Sequence, residues 1–131
     1  MIGLLLVAHA GLANELLAAA EMIVGKLELA EAVGIAPNAS AATVMASIKE
    51  AVARVSGDGA IIMTDMFGGT PSNMSISFLE EGRVEVLTGV NLPMLIRFTQ
   101  DRSRLDVGDL ALKLRESGRE GITVAGEYLK K

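Results

Sequence analysis

With one histidine and no cysteine, this chain of 131 residues has few ways to do covalent chemistry. A multi-histidine metal centre, a thiolate metal site, a disulfide and a thiol nucleophile all lack their residues. What remains is His9, whose neutral imidazole can serve as base or nucleophile near neutral pH. A second stretch stands out beside it, Thr64-Asp65-Met66-Phe67-Gly68-Gly69-Thr70-Pro71-Ser72-Asn73. Here a carboxylate ends an apolar run, paired glycines follow, and Thr-Pro restarts the chain as a helix, which together describe an anion site. If the two places meet, Asp65 can accept the Nδ1–H of His9, fix its tautomer and leave Nε2 as a free lone pair. In that role the acid holds and stabilises an imidazolium rather than taking its proton. The backbone N–H groups of Gly68 and Gly69 and the hydroxyl of Thr70 would then favour a phosphoryl group on Nε2. Taken singly, each feature has a plainer meaning: an exposed histidine, an aspartate in a turn, a tight glycine turn, an ordinary helix start.

Whether they meet depends on the elements that carry them. Half of the residues are hydrophobic and only 3% are aromatic, so the core must be Leu, Ile, Val, Ala and Met, as in closely packed α/β layers. Residues 2–8 form a continuous apolar run of strand length and read as a buried parallel strand ending at His9. Leu12, Leu16, Ala20, Ile23 and Val24 then recur at helical spacing, with Gly25 as the stop. A weaker edge strand is expected over 31–36. A helix capped by Ser40 or Asn38 follows, with Val44, Ile48, Val52 and Val55 on its inner face. Residues 60–63 make a short central strand running into Thr64-Asp65. The next helix starts at Pro71 with Thr70 as its cap, runs to Gly82 and buries Phe78 and Leu79. Residues 84–88 form a fourth strand, Asn91 caps a helix through Leu92, Leu95, Ile96 and Phe98, and a last helix spans about 106–117 before Gly118. Residues 121–125 can form only a short strand.

This alternation predicts one α/β domain over residues 1–131, an open, mostly parallel, doubly wound sheet with helices on both faces. For the strand order 2-1-3-4, the reversal point lies between strands 1 and 3, and ligands of such sheets sit beyond the carboxyl ends of the strands there. Topology alone would then set the only imidazole beside Asp65.

Several function classes fall away. A formal charge of −4 gives no electrostatic footprint for nucleic acid. The opening apolar run has no basic residue before it, breaks at His9 and is too short to span a bilayer, so no membrane insertion is expected and a cytoplasmic location suits the chain. No serine or cysteine sits in a nucleophile elbow. There is neither a G-x-x-x-x-G-K-[ST] loop nor a kinase-like set of Mg²⁺ carboxylates. A phosphoryl group arriving by protein-to-protein relay fits better than direct reaction with ATP, and no cofactor or metal is expected.

Three blocks, Val7-Ala8-His9-Ala10-Gly11-Leu12-Ala13, the stretch 64–73 and Gly89-Val90-Asn91-Leu92-Pro93-Met94-Leu95, resemble the enzyme IIA domain of the mannose family of the bacterial sugar phosphotransferase system. Gly118-Arg119-Glu120-Gly121 is similar to that family too. The resemblance covers essentially the whole chain with its blocks in order. It implies a phosphohistidine relay in which His9 takes a phosphoryl group on Nε2 from HPr and passes it to an enzyme IIB component for sugar uptake. It implies Asp65 as the orienting residue, Gly68, Gly69 and Thr70 around the phosphate, and a homodimer whose C-terminal strand pairs with the neighbour's sheet. Thr70 stands where serine is frequent and keeps the hydroxyl; Phe67 stands where some members carry tryptophan. The fused IIB domain of some members lies outside this sequence. Met66, Phe67, Leu92 and Met94 are candidates for an apolar docking patch, with core packing as the other reading of Leu92 and Met94. Other functions stay open on these residues: a regulator whose His9 phosphorylation state is sensed by a partner, and an anion-binding module without transfer. A phosphocarrier subunit feeding dihydroxyacetone kinase also has an N-terminal histidine, but the Gly-Gly-Thr-Pro-Ser-Asn block argues against it.

Overall fold

A computed structural model describes residues 1–130. Four parallel strands, β1 (Gly3–His9), β2 (Ala30–Ile35), β3 (Ala60–Thr64) and β4 (Val84–Thr88), form one sheet in the order β2-β1-β3-β4. The central pair, β1 and β3, is apolar on both faces because helices cover both, and every residue of 3–8 and 60–64 is buried. The helices between and after the strands are α1 (Leu12–Val24), α2 (Ala41–Val55), α3 (Thr70–Ile76), α4 (Leu92–Asp101), α5 (Val107–Glu120) and α6 (Ala125–Leu129).

The period of two along β1 divides the core. Leu4, Leu6 and Ala8 join Ile61 and Met63 against α1, α4 and α5, where Phe98, Leu110 and Leu114 are fully buried. Leu5 and Val7 join Ile62 against the Val44, Ile48, Ala51 and Val55 face of α2, with Met74 of α3 packed on the same side. Continuing the alternation by two residues puts His9 on this second face, the face that α3 covers.

Helix caps follow the sequence expectation at Ser40 and Asn91, and Asp106, expected inside the first turn of α5, is its cap. Ser40 accepts the Thr43 N–H at 3.1 Å, Asn91 accepts the Met94 N–H at 3.1 Å and Asp106 accepts the Asp109 N–H at 2.8 Å. Other expectations need correction. The inner face of α1 is Ala13, Leu16, Leu17 and Ala20, while Leu12, Ile23 and Val24 are exposed. A row spaced i, i+4, i+8 drifts off a 3.6-residue period, whereas i, i+3, i+4, i+7 stays on one face. Helix α3 stops at Ile76, and the chain turns through Phe78, half-buried, and Leu79, exposed. Helix α5 continues past Gly118, which is buried because a Cβ there would stand 2.9 Å from Met94 Cε. The strand expected over 121–125 does not form: residues 122–124 have no regular structure and α6 is a short exposed helix. Five residues with no neighbouring strand inside the chain have nothing to pair with.

Candidate active site

β1 and β3 are direct neighbours, Val7 being level with Thr64, so His9 and Asp65 leave the sheet side by side at its carboxyl end. The Oδ2 atom of Asp65 accepts both the backbone N–H of His9 at 3.0 Å and the imidazole Nδ1 at 2.7 Å. Its Oδ1 accepts the Met66 N–H at 3.1 Å. The carboxylate is thus fixed by three donors, two of them from the residue it orients. The Asp65 side chain is only 13% exposed, while that of His9 is 50% exposed and open to a reacting partner.

Partial burial pushes the Asp65 carboxyl up, but the hydrogen bonds from the His9 backbone and ring outweigh it and hold the pKa below the usual carboxylate value. Asp65 is therefore ionised at neutral pH. A carboxylate is acceptor-only, so Nδ1 carries the proton and Nε2 of the neutral ring is the unprotonated nitrogen. With Nδ1 on Asp65, Nε2 lies on the other side of the ring, near the β3–α3 loop. A Cβ built on Gly69 would stand 3.1 Å from His9 Cε1 and 3.5 Å from Nε2, so the loop backbone passes next to the nucleophile only because residue 69 has no side chain.

Gly68, at φ +87, turns this loop, and Asn73 ties it back by donating Nδ2 to the Gly68 carbonyl at 3.4 Å. Gly69 caps α3 with no side-chain cap bond, and Thr70 is the first helical residue rather than the cap that its sequence position suggested. Thr70 lines a cleft of about 310 Å³ with His9, Ala10, Ile35, Ala36, Pro37 and Ala39. The first intrahelical bond is Asn73 N–H to Gly69 C=O, so Thr70 and Ser72 bring backbone N–H groups unused within the helix, Pro71 having none. At seven residues α3 supplies local donors rather than a long dipole.

Of the sequence-derived docking residues, Met66 (55% exposed) and Phe67 (74%) stand free in the β3–α3 loop. Met94 does not. It is 4% exposed inside the core and belongs to packing, while Leu92 packs on that core and stays half-exposed. Two features were not anticipated. The cleft wall at 35–39 comes from the β2–α2 loop, whose Pro37-Asn38 at the sheet's carboxyl end was the available signal. Ala10, directly after the nucleophile, has φ +51, a left-handed conformation that a residue with a Cβ adopts at a strain of about 1 kcal/mol.

A family model described as the PTS system fructose IIA component matches residues 3–114. The chain belongs to that family. It is 36% identical over 72 residues to the fructose-specific EIIA component of Bacillus subtilis (strain 168), an alignment covering 54% of this chain and 49% of that protein. It is 30% identical over 117 residues to the mannose-specific EIIAB component of Escherichia coli (strain K12), covering 87% of this chain and 36% of that one. The chain thus spans less than half the length of either relative. Among solved structures, the EIIA component from Streptococcus agalactiae superposes with a TM-score of 0.88 at 28% identity, over 97% of this chain and 99% of that one. The open parallel sheet in order 2-1-3-4 is therefore the fold of phosphotransferase-system IIA components. No helix among the described residues is long and apolar enough to cross a membrane.

Proposed function

We propose that this protein is a phosphohistidine relay, taking a phosphoryl group from phospho-HPr on His9 and passing it to an enzyme IIB component during sugar uptake. The observation that carries this reading is the Nδ1–Asp65 bond at 2.7 Å, which leaves Nε2 as the open lone pair. That lone pair attacks phosphorus, the bond from phosphorus to the donor breaks with its electron pair leaving on the donor, and the group ends on Nε2. The Nδ1–H stays bonded to Asp65, whose negative charge offsets the positive character the ring acquires. Gly68, Gly69 and Thr70 contribute N–H groups and a hydroxyl toward the phosphoryl oxygens. In the second half-reaction the acceptor's nucleophile attacks the same phosphorus and His9 recovers its lone pair. Met66 and Phe67 form an apolar rim for the partners, which dock in turn.

Incubation with phosphoenolpyruvate, enzyme I and HPr should add one phosphoryl group, acid-labile and base-stable, to the peptide that contains His9, and adding enzyme IIB should discharge it. Absence of the mass increase, or its presence on a peptide without His9, refutes the relay.

The same reading includes a homodimer in which residues 121–125 of one copy pair with β4 of the other. Its support is an open sheet edge at β4, a groove of about 550 Å³ between β4 and α5 reaching Leu112 and Ile122, and exposed Ile122, Val124, Tyr128 and Leu129 in the tail. Sedimentation should show a dimer for the full chain and a monomer for a chain ending at Gly121. A full chain that sediments as a monomer at micromolar concentration removes the dimer.

A further inference from the structure

The strained residue next to the nucleophile is held from the other side of β1. Ala10 donates its N–H to the Ile35 carbonyl at 2.9 Å, one step beyond the last paired residues, His9 and Ile35. Its own carbonyl turns back over β2 at Gly34. A Cβ on Gly34 would stand 2.3 Å from that oxygen and 3.5 Å from its carbon, far inside van der Waals contact, and the crowding is with backbone. Gly34 has no positive φ, so neither a turn nor a left-handed conformation explains a glycine there. The missing Cβ makes room for Ala10.

Ala10 in turn decides how β1 ends. Its left-handed φ of +51 takes the chain out of the strand and into α1 within two residues. His9 is thereby caught between two neighbours, Asp65 on the β3 side and the Ala10–Gly34 contact on the β2 side. The adjacent glycine, Gly11, differs: a Cβ there meets nothing within 4 Å, and its φ of −91 suits any residue.

We propose that Gly34 is a positioning residue for His9, acting through Ala10 although it sits on the edge strand and touches no reacting atom. A side chain at 34 displaces the Ala10 carbonyl, the left-handed turn reopens, and the His9 Cα and ring shift relative to Asp65. Displacements well under an ångström at a nucleophile are enough to slow a reaction, and about 1 Å can mean about a hundredfold. The inference rests on the relay reading for its rate, but not for its geometry, so the two can fail separately.

The test compares Gly34→Ala, Ala10→Val and Gly11→Ala with the wild type. The readouts are the rate of labelling from phospho-HPr per folded molecule and the ¹⁵N shifts of the His9 ring, which report its tautomer. Gly34→Ala should label about tenfold more slowly, with ring shifts moved from the Nδ1–H form toward the mixture of free histidine. Gly11→Ala should match the wild type in both. A Gly34→Ala protein with wild-type ring shifts overturns the proposal, as does an equal loss in Gly11→Ala. If Gly34→Ala does not fold, Ala10→Val decides, because a β-branched residue opposes φ +51 and reopens the turn without any clash at Gly34: mixed tautomers support the proposal, and wild-type shifts overturn it. If the wild type takes no label at all, the relay falls, while the ring shifts still report on the positioning.

Discussion

Asp65→Asn is expected to slow phosphoryl transfer to His9 by about two to four orders of magnitude while the protein stays folded. The carboxylate serves three donors, the His9 N–H and Nδ1 on Oδ2 and the Met66 N–H on Oδ1, and an amide of the same shape cannot. With its oxygen toward His9, the amide keeps the Nδ1–H tautomer but sets its NH₂ against the Met66 N–H, and the charge that stabilises the phosphorylated ring is gone. With its NH₂ toward His9, Nδ1 must become the acceptor, the proton moves to Nε2, and the nucleophile disappears. The first orientation accounts for the smaller loss and the second for the larger; ring ¹⁵N shifts tell which prevails. Rapid-mixing measurement of the label on His9 checks the rate, and a variant within about threefold of wild type would remove Asp65 from the mechanism. The same pair makes a stability prediction. Because its folded pKa lies below the unfolded value of about 4, Asp65 stabilises the native state at pH values above that. This contribution is lost as pH falls through the lower folded value. The gap in unfolding free energy between wild type and Asp65→Asn should therefore close as pH falls below about 4.

How far the site was legible in the residues depends on what fixes each part. The meeting of His9 and Asp65 follows from strands 1 and 3 being neighbours, and the unbroken apolar runs 2–8 and 60–63 mark these two as strands buried on both faces. That layer of information is local. What could not be read depends on partners far along the chain. Met94 has the sequence setting of a docking residue, following a glycine turn and a proline, yet its depth is set by α5, where Gly118 allows its methyl group to approach. Gly118 itself looked like a helix stop, because a glycine that admits a neighbour and a glycine that ends a helix are the same letter. The tail 121–125 has strand composition and no strand, since pairing requires an edge that the chain's own sheet does not extend to it. Thr70 as cap misplaced α3 by one residue: Gly69 stands at the cap, and Thr70, in the first turn, lines the cleft beside His9.

The glycine pair in that loop yields the second large effect, and the two residues should behave in opposite ways. Gly69 has φ −85 and ψ 172, extended backbone that any residue adopts. Alanine there carries no conformational penalty and restricts the unfolded chain, which by itself stabilises by about 0.4–1 kcal/mol. Its Cβ, however, would stand 3.1 Å from His9 Cε1, 3.5 Å from Nε2 and 3.6 Å from Met66 Cγ. The ring cannot retreat without lengthening its bond to Asp65, and the new methyl group occupies space on the side where the phosphoryl group must arrive. Gly69→Ala should therefore melt close to the wild-type temperature, the two contributions offsetting each other, while accepting phosphoryl groups about tenfold to a hundredfold more slowly. Gly68 presents the reverse case: its Cβ would meet nothing within 4 Å, but its φ of +87 strains any L side chain. Gly68→Ala should lose about 1 kcal/mol of stability and, per folded molecule, less labelling rate than Gly69→Ala. Thermal melts and labelling kinetics on the two variants separate the causes, since backbone strain lowers stability first and steric crowding of Nε2 lowers rate alone. A Gly69→Ala protein that labels at the wild-type rate would show that the loop does not approach the nucleophile closely enough to hold its phosphate.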